Sequence, residues 1–210
     1  MLYTEAVEST TLELLRSLQN KEYLKGFLLA GGTALALYNG HRRSADIDLF
    51  SNFSFDTIRV FNNINLDYRY NLFFSAPDTL RGAIQNIKTD IIAHKYPFVR
   101  EPVFKSGISI MSEEDIIAMK LNAISMSGQR IKDFIDIYFL LEKYDISAML
   151  RFYTSKYNQK NDLLIIKSLI YFEDVDEAEW PVLIKEPNLK WSKVKKKIEK
   201  NVMAYARGKG

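Results

Sequence analysis

Cysteine is absent from this 210-residue chain, so neither disulfides nor thiolate chemistry can operate. Histidine is scarce: His41 and His94 are the only two. A zinc site of the His and Cys kind is therefore left without ligands. Any metal would have to be bound by Asp and Glu oxygens, which favours Mg²⁺ or Mn²⁺. No apolar run approaches the roughly 18 residues of a membrane helix. The N-terminal stretch MLYTEAVEST lacks the basic start and apolar core of a signal peptide. The expectation is a cytoplasmic protein without a membrane partner.

What is present is an ordinary globular composition. Hydrophobic residues make up 47% of the chain, enough for a real core in one domain or two small ones. The net charge of +3 hides an asymmetry. Residues 190–210 hold eight Lys or Arg against the single acid Glu199, a local +7, so the remainder carries −4. Just upstream lies an acidic cluster: Glu173, Asp174, Asp176, Glu177 and Glu179. The basic segment suits either contact with phosphate or an acidic partner, or a solvated helical face.

Hydrophobic periodicity predicts an α/β (α+β) chain. An amphipathic helix is expected over Thr4–Gln19. Phe27–Ala30 reads as a buried strand ended by Gly31-Gly32, and Thr33–Asn39 as a short helix stopped by Gly40. A second strand is expected at Ile47–Phe50 and a helix at Phe53–Ile64. Tyr68, Tyr70, Leu72 and Phe74 alternate with period two, and Ile84–Ala93 continues the strand signal. Ile87, Thr89, Ile91 and Ala93 fall on one face of that run, with Lys88, Asp90 and Ile92 on the other. Pro97 and Pro102 mark a loop. Ser112 with Asp115 suggests a capping box opening a helix that runs to about Ser125. Further helices are expected near 131–143, 150–157, 162–172 and 191–205. Two domains result: a mixed-sheet α/β domain over 1–110 and a helical domain over 111–210 with a basic C-terminal helix.

The chemistry concentrates between Gly31 and Phe50. A Gly-Gly turn between strand and helix lets backbone N–H groups approach an anion, and the helix N-terminus favours phosphate. Thr33 is expected to add a hydroxyl. In Asp46-Ile47-Asp48 both carboxylates fall on one side of a strand. Two such charges repel unless a cation lies between them, which is the arrangement that bridges nucleotide phosphates. Asp90 sits among apolar neighbours, where a charge is expensive unless paired or metal-bound. It is a candidate metal ligand or base, with Lys88 two residues away on the same face. Lys120 lies on or beside the apolar stripe of its helix and needs an anionic partner, which a triphosphate would supply. Lys132 and Asp136 have the spacing of an ordinary surface salt bridge. Arg42, Arg43 and Arg130 are plausible phosphate clamps. Tyr68, Tyr70, Phe73 and Phe74 suit sheet packing or, alternatively, stacking on a base.

Taken in order, Gly31-Gly32-Thr33, Arg43-Ser44-x-Asp46-x-Asp48-Leu-Phe, Lys120-Leu-x-Ala123 and Arg130-x-Lys132-Asp133-x-x-Asp136 resemble the pattern of AbiEii-type nucleotidyltransferase toxins. That family belongs to the polymerase-beta-like nucleotidyltransferase superfamily. The resemblance spans residues 27–141, with weaker similarity at Tyr171–Asp174 and Trp191. It implies a polymerase-beta-like core with a mixed sheet, followed by a helical region. It implies that Asp46 and Asp48 hold Mg²⁺ (or Mn²⁺) against a nucleoside triphosphate (NTP). It further implies that Gly31, Gly32, Thr33, Arg43, Ser44, Lys88 and Arg130 contact the nucleotide. The catalytic set becomes Asp46, Asp48, Asp90, Lys120 and Asp133, with the third carboxylate role open between Asp90 and Asp133. The family's second motif is a basic element, placed here at Lys88.

The reading is a metal-dependent nucleotidyltransferase toxin. It would transfer NMP to an acceptor such as the tRNA 3′ end and be held in check by a cognate antitoxin. Two alternatives keep the same fold: a non-enzymatic nucleotide- or nucleic-acid-binding module, and phosphoryl transfer to a protein side chain.

Overall fold

The structure, a computed structural model, describes residues 2–208. Two compact units emerge, one ending at Ser112 and the next beginning at Glu113. Among the described residues no helix is long and apolar enough to cross a membrane.

The first unit opens with α1 (Ser9–Gln19), which buries Leu12, Leu14, Leu15 and Leu18. The helix expected from Thr4 is interrupted. Thr4–Ala6 form a single 3-10 turn, and Val7 is extended and buried. A β-branched residue held extended separates the two segments. The chain then passes through β1 (Leu28–Leu29) directly into α2 (Gly31–Asn39), which Gly40 closes in a left-handed conformation (φ 60°). β2 (Ile47–Ser51) follows. α3 (Thr57–Tyr68) starts later than its apolar pattern suggested, because Asp56 caps it by accepting the Arg59 N–H at 3.0 Å.

The remainder of the unit is strand: β3 (Asn71–Ala76), β4 (Thr79–Ile84), β5 (Ile87–Ala93), β6 (Val103–Lys105) and β7 (Ile108–Ile110). The seven strands form one sheet in the order β3-β4-β5-β2-β1-β7-β6. β2–β5 and β1–β7 are parallel and the other pairs antiparallel, so the sheet is mixed. One face is core: Ile47, Leu49, Leu80, Ile84, Thr89 and Ile91 are fully buried on it.

Three strand expectations change. The run Ile84–Ala93 is broken at Gln85-Asn86, both at positive φ (51° and 65°), which is the two-residue turn of a tight hairpin. Ser106-Gly107 (φ 56° and 76°) makes a second such turn, joining β6 and β7 where the prolines suggested only loop. Tyr68 belongs to α3, and a register shift between Leu72 and Phe74 breaks the expected alternation, so those two residues face opposite sides.

The second unit is helical: α4 (Glu113–Met126), α5 (Ile131–Leu140), α6 (Ile146–Tyr157), α7 (Asp162–Leu169) and α8 (Trp191–Arg207). Gly128 (φ 61°) provides the break after α4. Phe134, Phe172 and Trp191 pack edge-to-face with centroids 5.5–5.8 Å apart, so Phe172 and Trp191 join the packing around α5, whereas Tyr171 is exposed. Asp115, expected in a capping box, is wholly buried and accepts from Lys156 Nζ at 2.7 Å. α8 buries Trp191, Val194, Ile198 and Val202 and is basic elsewhere. Part of that charge is met locally: Lys193 pairs with Glu186 at 2.5 Å, and Lys197 faces Glu142 at 3.6 Å. Lys209 of the basic segment lies outside the described residues.

Gly82 is the tightest point of the hairpin region. A Cβ there would strike the Asn71 carbonyl and lie 2.6 Å from Tyr70 Cζ. Gly82→Ala is expected to destabilise the protein by about 1–3 kcal/mol, the usual range for overpacking. A lowered midpoint in urea unfolding checks this, and an unchanged midpoint contradicts it.

Candidate functional site

Residues paired across a sheet present their side chains on the same face. The register therefore builds the site. Asp48 on β2 is paired with Asp90 on β5, and Asp90 with Arg81 on β4. These residues, with Lys88, Ile92 and Phe50, occupy the sheet face opposite the core, where exposure is higher. Arg81 and Lys88 side chains are 57% and 51% exposed, whereas Asp90 is 7% exposed.

The Gly-Gly segment meets this face. No separate turn exists, because Gly31 is the first residue of α2 and adopts φ 68°. A Cβ on Gly31 would collide with Asp48 Oδ2. Glycine is required there twice over, by its φ and by the carboxylate that fills the space. A Cβ on Gly32 would collide with Arg42 Nη2. Arg42 is accordingly not an exposed clamp: it is buried, with Nη1 donating to the Arg43 carbonyl at 3.2 Å. The Arg43 side chain itself is exposed.

Thr33 was expected to offer its hydroxyl to phosphate, but it is fully buried and donates to the Asp46 carbonyl at 2.5 Å. Because its proton is committed there, the Ser44 hydroxyl donates to Thr33 Oγ1 at 2.8 Å. Thr33 and Ser44 thus brace the segment that leads into β2. Asp46 falls one residue before the strand, with its side chain exposed.

Electrostatics single out Asp90. Burial pushes its carboxyl above the ordinary value; Lys88 and Arg81 pull it back, and Asp46 pushes it further up. Lys88 Nζ and Arg81 Nε stand 3.7 and 4.0 Å from Asp90 Oδ2, beyond good hydrogen-bond distance. Oδ1 is buried with no hydrogen-bond partner. Arg81 escaped the sequence reading, because its pairing with Asp90 depends on locating the Gln85-Asn86 turn.

Among the described residues, no three carboxylate or imidazole groups gather closely enough to hold an ion by themselves. The donor set nonetheless fits Mg²⁺, which is commonly held by one or two carboxylates with phosphate oxygens and water completing the shell. The unpartnered buried Asp90 Oδ1, paired in register with Asp48 and within the field of Asp46, is the observation consistent with a hard cation.

Lys120 and Asp133 belong to the second unit. Lys120 is buried and its ammonium lies 2.5 Å from Asp133 Oδ1 and 2.8 Å from Asp136 Oδ2. The anionic partner expected for Lys120 is thus supplied by two carboxylates of α5. The expected Lys132–Asp136 bridge is replaced, because Asp136 points inward to Lys120 while Lys132 pairs with Glu179 at 3.4 Å. Arg130 is exposed and stands at the N-cap of α5.

The arrangement of a mixed sheet and helices has counterparts among solved structures. MenT4, the nucleotidyltransferase toxin Rv2826c of Mycobacterium tuberculosis H37Rv, superposes with a TM-score of 0.59 at 14% identity, covering 91% of this chain and 81% of that one. An H. pylori protein provisionally described as a nucleotidyltransferase gives 0.54 at 15% identity, covering 94% and 95%. Such distant likeness defines the class, a nucleotidyltransferase fold. The family follows from sequence: the model of the nucleotidyl transferase AbiEii toxins of type IV toxin–antitoxin systems matches residues 13–69 and 72–207, and the chain belongs to that family. It is also 34% identical over 185 residues to the uncharacterized protein aq_aa25 of Aquifex aeolicus (strain VF5), covering 85% of this chain and 87% of that protein.

Two outcomes follow from the buried charges. The fold disfavours charged Asp90, so its penalty is present in full above the folded pKa and vanishes as pH falls through it. Asp90→Asn is expected to raise Tm at neutral pH, because it removes that penalty. The gain should disappear below the unfolded Asp pKa of about 3.9. Calorimetry at the two pH values decides it, and a neutral-pH Tm at or below wild type counts against it. Lys120→Met removes the ammonium that two buried carboxylates share and is expected to cost about 3–5 kcal/mol. Lys132→Met, on a half-exposed pair, should cost less than about 1 kcal/mol. Urea midpoints of equal size for the two variants would refute the contrast.

Proposed function

We propose that this chain is a metal-dependent nucleotidyltransferase that moves NMP from an NTP to an acceptor hydroxyl, with the tRNA 3′ end as the acceptor and a cognate antitoxin as its restraint. The setting proposed is the cytoplasm. The observation that carries the reading is the carboxylate pair Asp48–Asp90 on the open sheet face, with Asp48 packed on Gly31 at the start of α2 and Asp90 Oδ1 buried without a partner.

Asp46 and Asp48 are the residues proposed to hold Mg²⁺, which when bound would neutralise triphosphate charge. The Gly31-Gly32 backbone at the α2 N-terminus offers N–H groups to phosphate. Arg43 and Lys88 are exposed cations suited to the remaining phosphate charge. Asp90, whose carboxyl is held above its ordinary value, takes the proton from the acceptor hydroxyl. The acceptor oxygen forms its bond to the alpha-phosphorus as the bond to the leaving pyrophosphate breaks. Positioning and charge neutralisation supply most of the acceleration. The Asp48 packing against Gly31 favours this reading over a binding module in which the carboxylates turn away from the glycines.

Incubation with each labelled NTP, Mg²⁺ and total tRNA tests the reaction. Label is expected in RNA, and Asp46→Ala is expected to lose at least about 10²-fold, the scale of a preorganised electrostatic element. Equal labelling by both proteins would overturn the metal assignment. Label in protein instead of RNA would move the acceptor to a side chain.

A further inference from the structure

We propose that the outer part of the same sheet face is a subsite for a single-stranded nucleic acid, where Arg81 and Lys88 meet a phosphate and Phe74 stacks on a base. The proposal rests on the nucleotidyl-transfer reading and adds the surface that would bind its acceptor.

The register extends the site in a straight row. Asp48 pairs with Asp90, Asp90 with Arg81, and Arg81 with Phe74 on β3. All four therefore share one face. Strands lie about 4.8 Å apart, so Phe74 stands roughly 10 Å from Asp90 along the row. A stacked strand rises about 3.4 Å per nucleotide, so that distance is only a few nucleotides. The register shift inserts one extra residue in β3, leaving both Phe73 and Phe74 opposite Arg81. Without the shift, Phe74 would be turned to the other face.

Exposure and charge point the same way. Phe73 and Phe74 are 63% and 53% exposed on the edge strand, where burial within the unit rewards neither. Arg81 and Lys88 place two half-exposed cations against the single carboxylate of Asp90, at distances that leave their hydrogen-bonding capacity toward solvent. On the outer strands β4 and β5, Arg81 and Lys88 thus stand beside an aromatic pair with Asp90 as the facing carboxylate, and Asp48 lies one strand further in. Backbone phosphate matches the first feature, and a base of any sequence matches the second. A serine or threonine side chain as acceptor has no use for either. Continuity of the row with Asp90, the proposed base, brings the end of such a strand toward the group that would deprotonate it.

The test uses the full chain and a fluorescein-labelled mixed-sequence 12-nucleotide RNA, followed by anisotropy without NTP. Phe74→Ala is expected to weaken binding about tenfold, the scale of one lost stacking contact. Phe74→Trp should retain binding. Arg81→Ala should lower the slope of log K against log salt by about 0.7, the loss of one phosphate contact on a single strand. With labelled NTP, Phe74→Ala should raise KM for RNA by a similar factor. Equal RNA affinities for wild type, Phe74→Ala and Arg81→Ala would overturn the subsite, as would transfer to protein with no measurable RNA binding. The binding arm needs no turnover. A protein that binds RNA through Phe74 yet transfers nothing defeats the reaction reading and leaves the subsite standing. Transfer to RNA with equal KM in wild type and Phe74→Ala does the reverse.

Discussion

The parallel pairing of β2 with β5 sets Asp48 and Asp90 opposite one another on one sheet face, and the site is built around that placement. Gly31 makes room for one carboxylate by having no side chain and by turning the chain into α2 at positive φ. Lys88 and Arg81 flank the other without fully satisfying it. Thr33 and Ser44 tie down the segment carrying Asp46 through two short hydrogen bonds. Lys88 and Arg81 offset negative charge here, while Gly31, Thr33 and Ser44 fix where the chain carrying the carboxylates runs. A site of this kind is suited to binding charge of the opposite sign and to reacting at pH values where an ordinary carboxyl would be a weaker base.

The second unit handles buried charge differently. Lys156 and Asp115 form a pair with no exposure, while Lys120 is shared between Asp133 and Asp136. Charges of this kind contribute more to specifying which packing forms than to net stability, since an apolar replacement of the whole cluster is often tolerated. The sequence of α5 follows the same logic: Asp133 and Asp136 are three residues apart, so both carboxylates reach one ammonium from a single helical face.

The chain belongs to the AbiEii toxin family and shares a nucleotidyltransferase fold with MenT4. The aromatic pair on β3 is a different matter. Its exposure comes from the register shift and from the edge position of β3.

Much of the first unit was legible because its signals are local. A strand, two glycines, a short helix and a second strand follow from residues 27–51 alone, since apolar runs and glycine punctuation act within a few residues. The faces of β5 were equally readable, because side chains alternate along any strand. The helices of the second unit came through with end errors of a few residues. Illegible were the contacts that depend on pairing. The Gln85-Asn86 turn lacks the glycine that usually marks such hairpins, so Arg81 could not be placed opposite Asp90. The same ignorance hid the bulge that turns Phe74 outward. Thr33 and Arg42 looked like phosphate ligands because their types are right, and burial in the tertiary structure gave them other partners. The sequence by itself determined which residues can carry charge, turn the chain or line a core, because those properties belong to the residue and its neighbours. Only the tertiary structure decided which carboxylate meets which cation, because strand register and helix packing bring together groups that no local pattern relates.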